Sequence, residues 1–115
     1  MNAVRLIVYP ASDVAKAKQF FTTLLGAEPY ADSPYYVGFK AGDTEIGLDP
    51  NASKRGLTGA LMYVDVADIE ASLKALVAAG AEKVQDVTDV SNGLLIAIVK
   101  DAGGTPIGLR QHPKS

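Results

Sequence analysis

The heptapeptide Gly42-Asp43-Thr44-Glu45-Ile46-Gly47-Leu48 returns near the C-terminus as Gly103-Gly104-Thr105-Pro106-Ile107-Gly108-Leu109, with five of seven positions identical. A turn running into a short apolar strand, written twice at an offset of 61, constrains the fold more than any other feature. It implies one supersecondary unit present in duplicate. A second alignment, at an offset of 55, carries Leu6 onto Leu61, Asp13 onto Asp68 and Val14 onto Ile69. Loops of unequal length absorb the difference between the two offsets.

Each copy then reads as the same series of elements. In the first, residues 4–9 form an apolar strand stopped by Pro10, and Ser12 or Asp13 caps a helix ended by Gly26. The apolar positions Val14, Ala17, Phe21 and Leu24 recur at helical spacing, with Phe20 and Leu25 beside them. Residues 28–34 read as a loop able to contribute a short strand. Residues 35–40 and 44–49 are hairpin partners across Gly42-Asp43. In the second copy, residues 60–66 are a strand, and Asp68 caps a helix with Ile69, Leu73, Leu76 and Val77 as its apolar positions. Gly80 closes that helix. Residues 82–90, 94–99 and 105–111 are strands, the first of weak alternation. The expected fold is α+β: two tandem βαβββ modules, 1–50 and 59–115, joined by the linker-like segment 51–58.

Composition closes several functional classes. Hydrophobic residues at 48% and charged ones at 21% describe an ordinary globular domain. There is no cysteine, which removes disulfides, thiolate metal sites and cysteine nucleophiles. Net charge is −2, and Lys54-Arg55 is the sole basic pair, read as a solvated loop. A nucleic-acid partner would need a basic face to neutralise phosphates, so none is expected. No apolar run is long enough for a membrane helix, and the first residues enter a strand directly with no secretory pattern. Cytoplasmic residence is the default expectation. Nucleotide-binding glycine motifs are absent, and no serine stands in a nucleophile elbow. The carboxylate pairs Asp65/Asp68 and Asp86/Asp89 read as caps and turns.

The twice-written order resembles the vicinal oxygen chelate superfamily, which groups glyoxalases, bleomycin-resistance proteins and extradiol dioxygenases. The resemblance rests on residues 8–13 with Phe20-Phe21 and Leu25-Gly26, on residues 64–69 with Ala79-Gly80-Ala81, and on the closing residues 100–111. It implies paired modules whose sheets curl around a cleft, often in a homodimer. In metalloenzymes of that family, a His or Glu near the start of each module and a Glu near its end hold a divalent ion. The matching positions here are Leu6 and Leu61, then Gly47 and Gly108. None offers a donor atom, and a divalent ion needs several oxygen or nitrogen donors. No metal and no other cofactor is expected. Glu45, Asp49 and the single histidine, His112, are the remaining candidates for a partial site, although His112 reads as an exposed tail residue.

With strand alternation taken from those four positions, Val8, Asp49, Tyr63 and Arg110 share their face. The expected ligand-binding cleft is therefore Leu6, Val8, Tyr36, Gly47, Asp49, Leu61, Tyr63, Gly108 and Arg110, with Tyr35 as an alternative wall. Tyr63 reads equally well as ordinary core, and Arg110 as the partner of Asp49. Glycine at 47 and 108 leaves room either for a ligand or for a neighbouring side chain. The expected protein binds a small apolar or aromatic molecule without metal, as bleomycin-resistance proteins do. The alternatives are a divergent glyoxalase-type lyase or isomerase, a dioxygenase-like enzyme, or a purely structural module.

Overall fold

The computed structural model describes residues 2–113, and the Arg55 side chain of the Lys54-Arg55 pair lies outside the described residues. The chain divides into two compact units, residues 5–61 and residues 62–113 together with 2–4. The class is α+β, with eight strands and two α-helices among the described residues.

In the first unit the order is β1 (Ala3–Pro10), α1 (Val14–Leu25), β2 (Ala31–Ser33), β3 (Tyr36–Ala41) and β4 (Thr44–Asp49). β1 runs parallel to β4 with Val8 opposite Gly47 and Tyr9 opposite Leu48. β3 and β4 form the expected hairpin, Val37 facing Leu48 and Phe39 facing Ile46. β2 is the short strand foreseen within residues 28–34, and it pairs antiparallel with β3. A single 3₁₀ turn, Ala52–Arg55, interrupts the expected linker, and Ala52 and Leu57 are buried. Segment 51–58 is thus anchored by two apolar side chains.

The second unit repeats this with β5 (Leu61–Asp65), α2 (Ile69–Ala78), β6 (Glu82–Ser91), β7 (Leu94–Lys100) and β8 (Pro106–Gln111). β5 lies parallel to β8, with Tyr63 opposite Gly108 and Asp65 opposite Arg110. β7 pairs antiparallel with β8 and β6 with β7. The weak alternation of residues 82–90 has a physical cause. β6 shifts register three times against β7, and each irregularity turns the next side chain out of the two-residue period.

Both helices start where an aspartate can accept from the first turn. Asp13 takes the Lys16 N–H and Asp68 the Ala71 N–H, each at 3.1 Å. The Ile69 N–H, another donor of that turn, goes to Gln111 Oε1 at 2.7 Å, so β8 pins the start of α2. Gly26 ends α1 in the left-handed conformation at φ 66°. At the tip of the β6–β7 hairpin Asn92 and Gly93 both take positive φ, and the Asp89 carboxylate accepts from the Ser91 and Gly93 N–H groups.

Each sheet buries one face under its helix. Val37, Phe39 and Leu48 are core with Tyr9 and Ile46, covered by Val14, Ala17, Phe21 and Leu25. Leu24 and Phe20 depart from expectation: both are more than 60% exposed on the far side of α1. In the second unit Ile69 and Leu73 close over Val66, Ala97, Val99 and Leu109. No described helix is long and apolar enough to cross a membrane.

Replacing Asp68 by Ala should cost about 1 kcal/mol of stability, whereas Asn at the same position should cost a few tenths. Urea denaturation of the two variants measures the difference.

Candidate functional site

Alternation places the remaining strand residues on the face that the helices leave uncovered. In the first unit these are Leu6 and Val8 of β1, Tyr36 of β3, and Gly47 and Asp49 of β4. Leu6, Val8 and Gly47 are buried, and Tyr36 and Asp49 half-buried. Tyr36 is opposite Asp49 by register and diagonal to Gly47, which lets its ring lie across the glycine. A methyl carbon on Gly47 would come 2.7 Å from Tyr36 Cζ and closer still to the hydroxyl oxygen. One strand further out, a methyl on Gly38 would meet the Tyr30 ring at 2.9 Å. Tyr35, the alternative wall, is 76% exposed and lies outside β3, whereas Tyr36 stands on the uncovered face.

The second unit has the same device in a tighter form. Tyr63 is buried and stands directly opposite Gly108, where an added methyl would fall 2.8 Å from Cγ and nearer to Cδ1 and Cε1. The space that glycine leaves at 47 and 108 is therefore filled by tyrosine rings of the same unit. Leu61, at the start of β5, is 1% exposed.

Two residues beyond Tyr63 and Gly108, on the same face, Asp65 meets Arg110. Nε donates to Oδ1 at 2.7 Å and Nη2 to Oδ2 at 3.2 Å, a bidentate pair. Arg110 is buried, and the carboxylate half-buried. His112 Nε2 approaches Oδ2 of the same carboxylate at 3.2 Å while its ring stays largely exposed. Asp65 is thus no cap or turn residue, unlike Asp68; it is the counter-ion of Arg110. Nor is His112 a mere tail residue. The missed signal lay in the repeat itself. Pro10 faces Asp49 across β1 and β4, and Asp65 with Arg110 occupies the same place in the second unit.

Burial alone would raise the Asp65 carboxyl, but the Arg110 hydrogen bonds and charge, aided by His112, outweigh it and hold it below the usual aspartate range. Asp65 stays ionised near neutrality and makes a weak base. Of the other candidates, Glu45 receives Lys40 Nζ at 2.8 Å and Asp49 Oδ1 accepts from the Asn51 N–H at 2.8 Å.

The four positions that the resemblance matches to metal ligands do not fit a divalent ion. Leu6, Gly47, Leu61 and Gly108 present no donor, and tyrosine rings cover both glycines. Among the described residues no three His, Cys, Asp or Glu side chains come together as a metal-binding group.

Comparison with known proteins agrees with the fold. The model of the Glyoxalase/Bleomycin resistance protein/Dioxygenase superfamily matches residues 4–109. The chain belongs to that superfamily. No curated protein matches it in sequence. Among solved structures, a hypothetical protein from Bacillus halodurans C-125 is 16% identical at TM-score 0.79, covering 99% of this chain and 96% of its own. A glyoxalase/bleomycin resistance protein/dioxygenase superfamily member from Vibrio splendidus 12B01 is 19% identical at TM-score 0.71, with coverage of 96% and 98%. Methylmalonyl-CoA epimerase from Mycobacterium tuberculosis is 16% identical at TM-score 0.74, with coverage of 97% and 88%. At such identities the likeness is one of fold.

Substitutions on this face have outcomes set by these contacts. Gly108→Ala should destabilise the protein by about 1–3 kcal/mol, because the clash reaches the root of the Tyr63 ring. Gly47→Ala, which meets only the movable tip of Tyr36, should cost less. Gly108→Ala should cost less in a Tyr63→Ala background than in wild type, and a double-mutant cycle in denaturant measures the coupling. Asp65→Asn leaves a buried guanidinium without its carboxylate and should cost on the order of 3 kcal/mol at neutral pH. The lowered Asp65 pKa sets the sign of the pH effect. Its contribution is complete above the ordinary aspartate pKa and is lost as pH falls through the depressed folded value. Acid titration of stability should therefore show a component in wild type that Asp65→Asn lacks.

Proposed function

We propose that this chain is a metal-free binding protein of the superfamily, closest in kind to bleomycin-resistance proteins, which holds a small apolar or aromatic molecule. The observation that carries the reading is the tyrosine lying over glycine at both places where a family enzyme would present a metal-binding glutamate. The binding surface proposed is the helix-free face of the strands. Each unit offers such a face by itself: Leu6, Val8, Tyr36, Gly47, Asp49 and Leu61 in the first, and Tyr63, Gly108 and Arg110 in the second. Aliphatic and aromatic walls with a few polar groups suit a ligand that is largely apolar. Arg110, oriented by its bidentate pair with Asp65, places one positive charge on this face. The working form proposed is a homodimer, and a monomer in sedimentation at micromolar concentration would overturn that part.

Elemental analysis of protein purified without chelator should find no stoichiometric zinc, nickel, manganese or iron; one equivalent of any of these sinks the reading. A thermal-shift screen of small aromatic compounds should find at least one that raises Tm in wild type and fails to do so in Tyr36→Ala or Arg110→Ala.

A second reading draws on the Asp65–Arg110–His112 cluster, whose three ionisable groups on one face could serve a glyoxalase-type lyase or isomerase, or a dioxygenase-like reaction. It requires turnover of the methylglyoxal–glutathione adduct or of a catechol, lost on Arg110→Ala or Tyr63→Phe. The depressed Asp65 pKa weighs against it, since a general base works best with a pKa near the working pH.

A further inference from the structure

The two units differ on their helix-covered faces in a way that the duplication makes measurable. In the first unit three rings fill the space between α1 and the sheet. Tyr9 and Phe21 have centroids 5.1 Å apart, and Phe21 and Phe39 6.2 Å. The repeat carries these positions onto the second unit. At the offset of 55, Tyr9 becomes Val64 and Phe21 becomes Leu76. Register does the same for the hairpin: Phe39 faces Ile46, and Val99 faces Ile107, the repeat equivalent of Ile46. Three aromatic side chains are thus replaced by Val64, Leu76 and Val99.

Those three aliphatic residues line one cavity of about 380 Å³ beneath α2. Its other walls are small or aliphatic, among them Ala75, Ala81 and Ile107. That volume lies within the range of roughly 300–1,000 Å³ typical of small-molecule sites. The polar groups at its edge are few: the Ser72 hydroxyl, Asn2 and the Asp101 carboxylate. Asp101 already accepts from the Gly103 and Thr105 N–H groups at 2.9 and 3.0 Å, which fixes its orientation. A carboxylate at the rim disfavours anions and suits a ligand with one hydrogen-bond donor.

We infer that the second unit carries a ligand site of its own beneath α2, which takes a neutral, ring-bearing apolar molecule with at most one donor group. The ligand occupies the volume that Tyr9, Phe21 and Phe39 fill in the first unit. This site is on the helix side of the sheet, apart from the tyrosine-bearing face, so its failure and the failure of the proposed function are separate results.

The probes follow from the side chains that are missing: toluene for phenylalanine, p-cresol for tyrosine, and benzoate as the anionic control. Methyl NMR should show saturable shifts at Val99, Ile107 and Leu109 with toluene and p-cresol, little change at Val37 and Leu48 of the first unit, and none with benzoate. Leu76→Phe should weaken binding about tenfold or more. Leu76 is itself partly exposed, so that ring has room to be accommodated without loss of fold. The triple variant Val64→Tyr, Leu76→Phe, Val99→Phe should lose binding and melt at higher temperature than wild type. The inference is overturned by the absence of saturable shifts, by equal shifts in both units, or by unchanged affinity in Leu76→Phe. Shifts of the same methyls that follow protein concentration without added compound would assign the cavity mouth to a second copy and overturn it equally.

Discussion

The contact on which the uncovered sheet faces depend is that between a tyrosine ring and a strand glycine. Tyr63 lies flat enough on Gly108 that no side chain fits between them, and Tyr36 and Tyr30 use Gly47 and Gly38 in the same manner. Glycine normally weakens a strand, because it has nothing to pack and loses more entropy on ordering. A ring laid over it restores the lost contact area and shields the backbone hydrogen bonds beneath. The contact also fixes what lies beyond it. With Tyr63 seated opposite Gly108, Asp65 and Arg110 fall opposite each other two residues on, at a spacing that allows a bidentate pair.

Much of the frame was legible because it was written twice. The duplicated turn and strand, the aspartate caps at 13 and 68 and the glycine stops led to two βαβββ units with the observed order of elements. The cap identities depend only on neighbours within one turn, which is why the chain states them openly. What was hidden depends on partners far apart in sequence. Asp65 could be identified as the counter-ion of Arg110 only once the parallel register of β5 and β8 was known. The same holds for the rings over the glycines: the vacancy was visible, but its occupant was not. On α1 the helical period left two adjacent phenylalanines, and only the partners across the sheet, Tyr9 and Phe39, show that Phe21 is the inward one while Phe20 stays exposed. The linker misled in a simpler way, since its polar and glycine content masked Ala52 and Leu57, which anchor it.

The two units keep a common backbone plan while dividing its interior differently. The first places aromatic bulk on the helix side, with Tyr9, Phe21 and Phe39 in contact. The second has aliphatic side chains there and puts its aromatic bulk, Tyr63, on the other face beside an ion pair. The strand register is unchanged by the exchange, and the helix side of the second unit is left with the cavity lined by Val64, Leu76 and Val99. A duplicated domain of this length can therefore carry unlike surfaces on like scaffolds.

The seating of Tyr63 on Gly108 also bears on the order in which changes to this face can occur. A glutamate introduced at position 108 would not meet an empty place; it would meet the Tyr63 ring from Cγ outward. Placing a carboxylate there by one substitution is sterically opposed, and the tyrosine would have to move or go first. That first step removes a buried ring and returns nothing until the second is made. The same order applies at Tyr36 and Gly47, with a smaller barrier because only the ring tip must move. Each tyrosine seated over a strand glycine thus adds one unfavourable step to any route by which a carboxylate could be placed there.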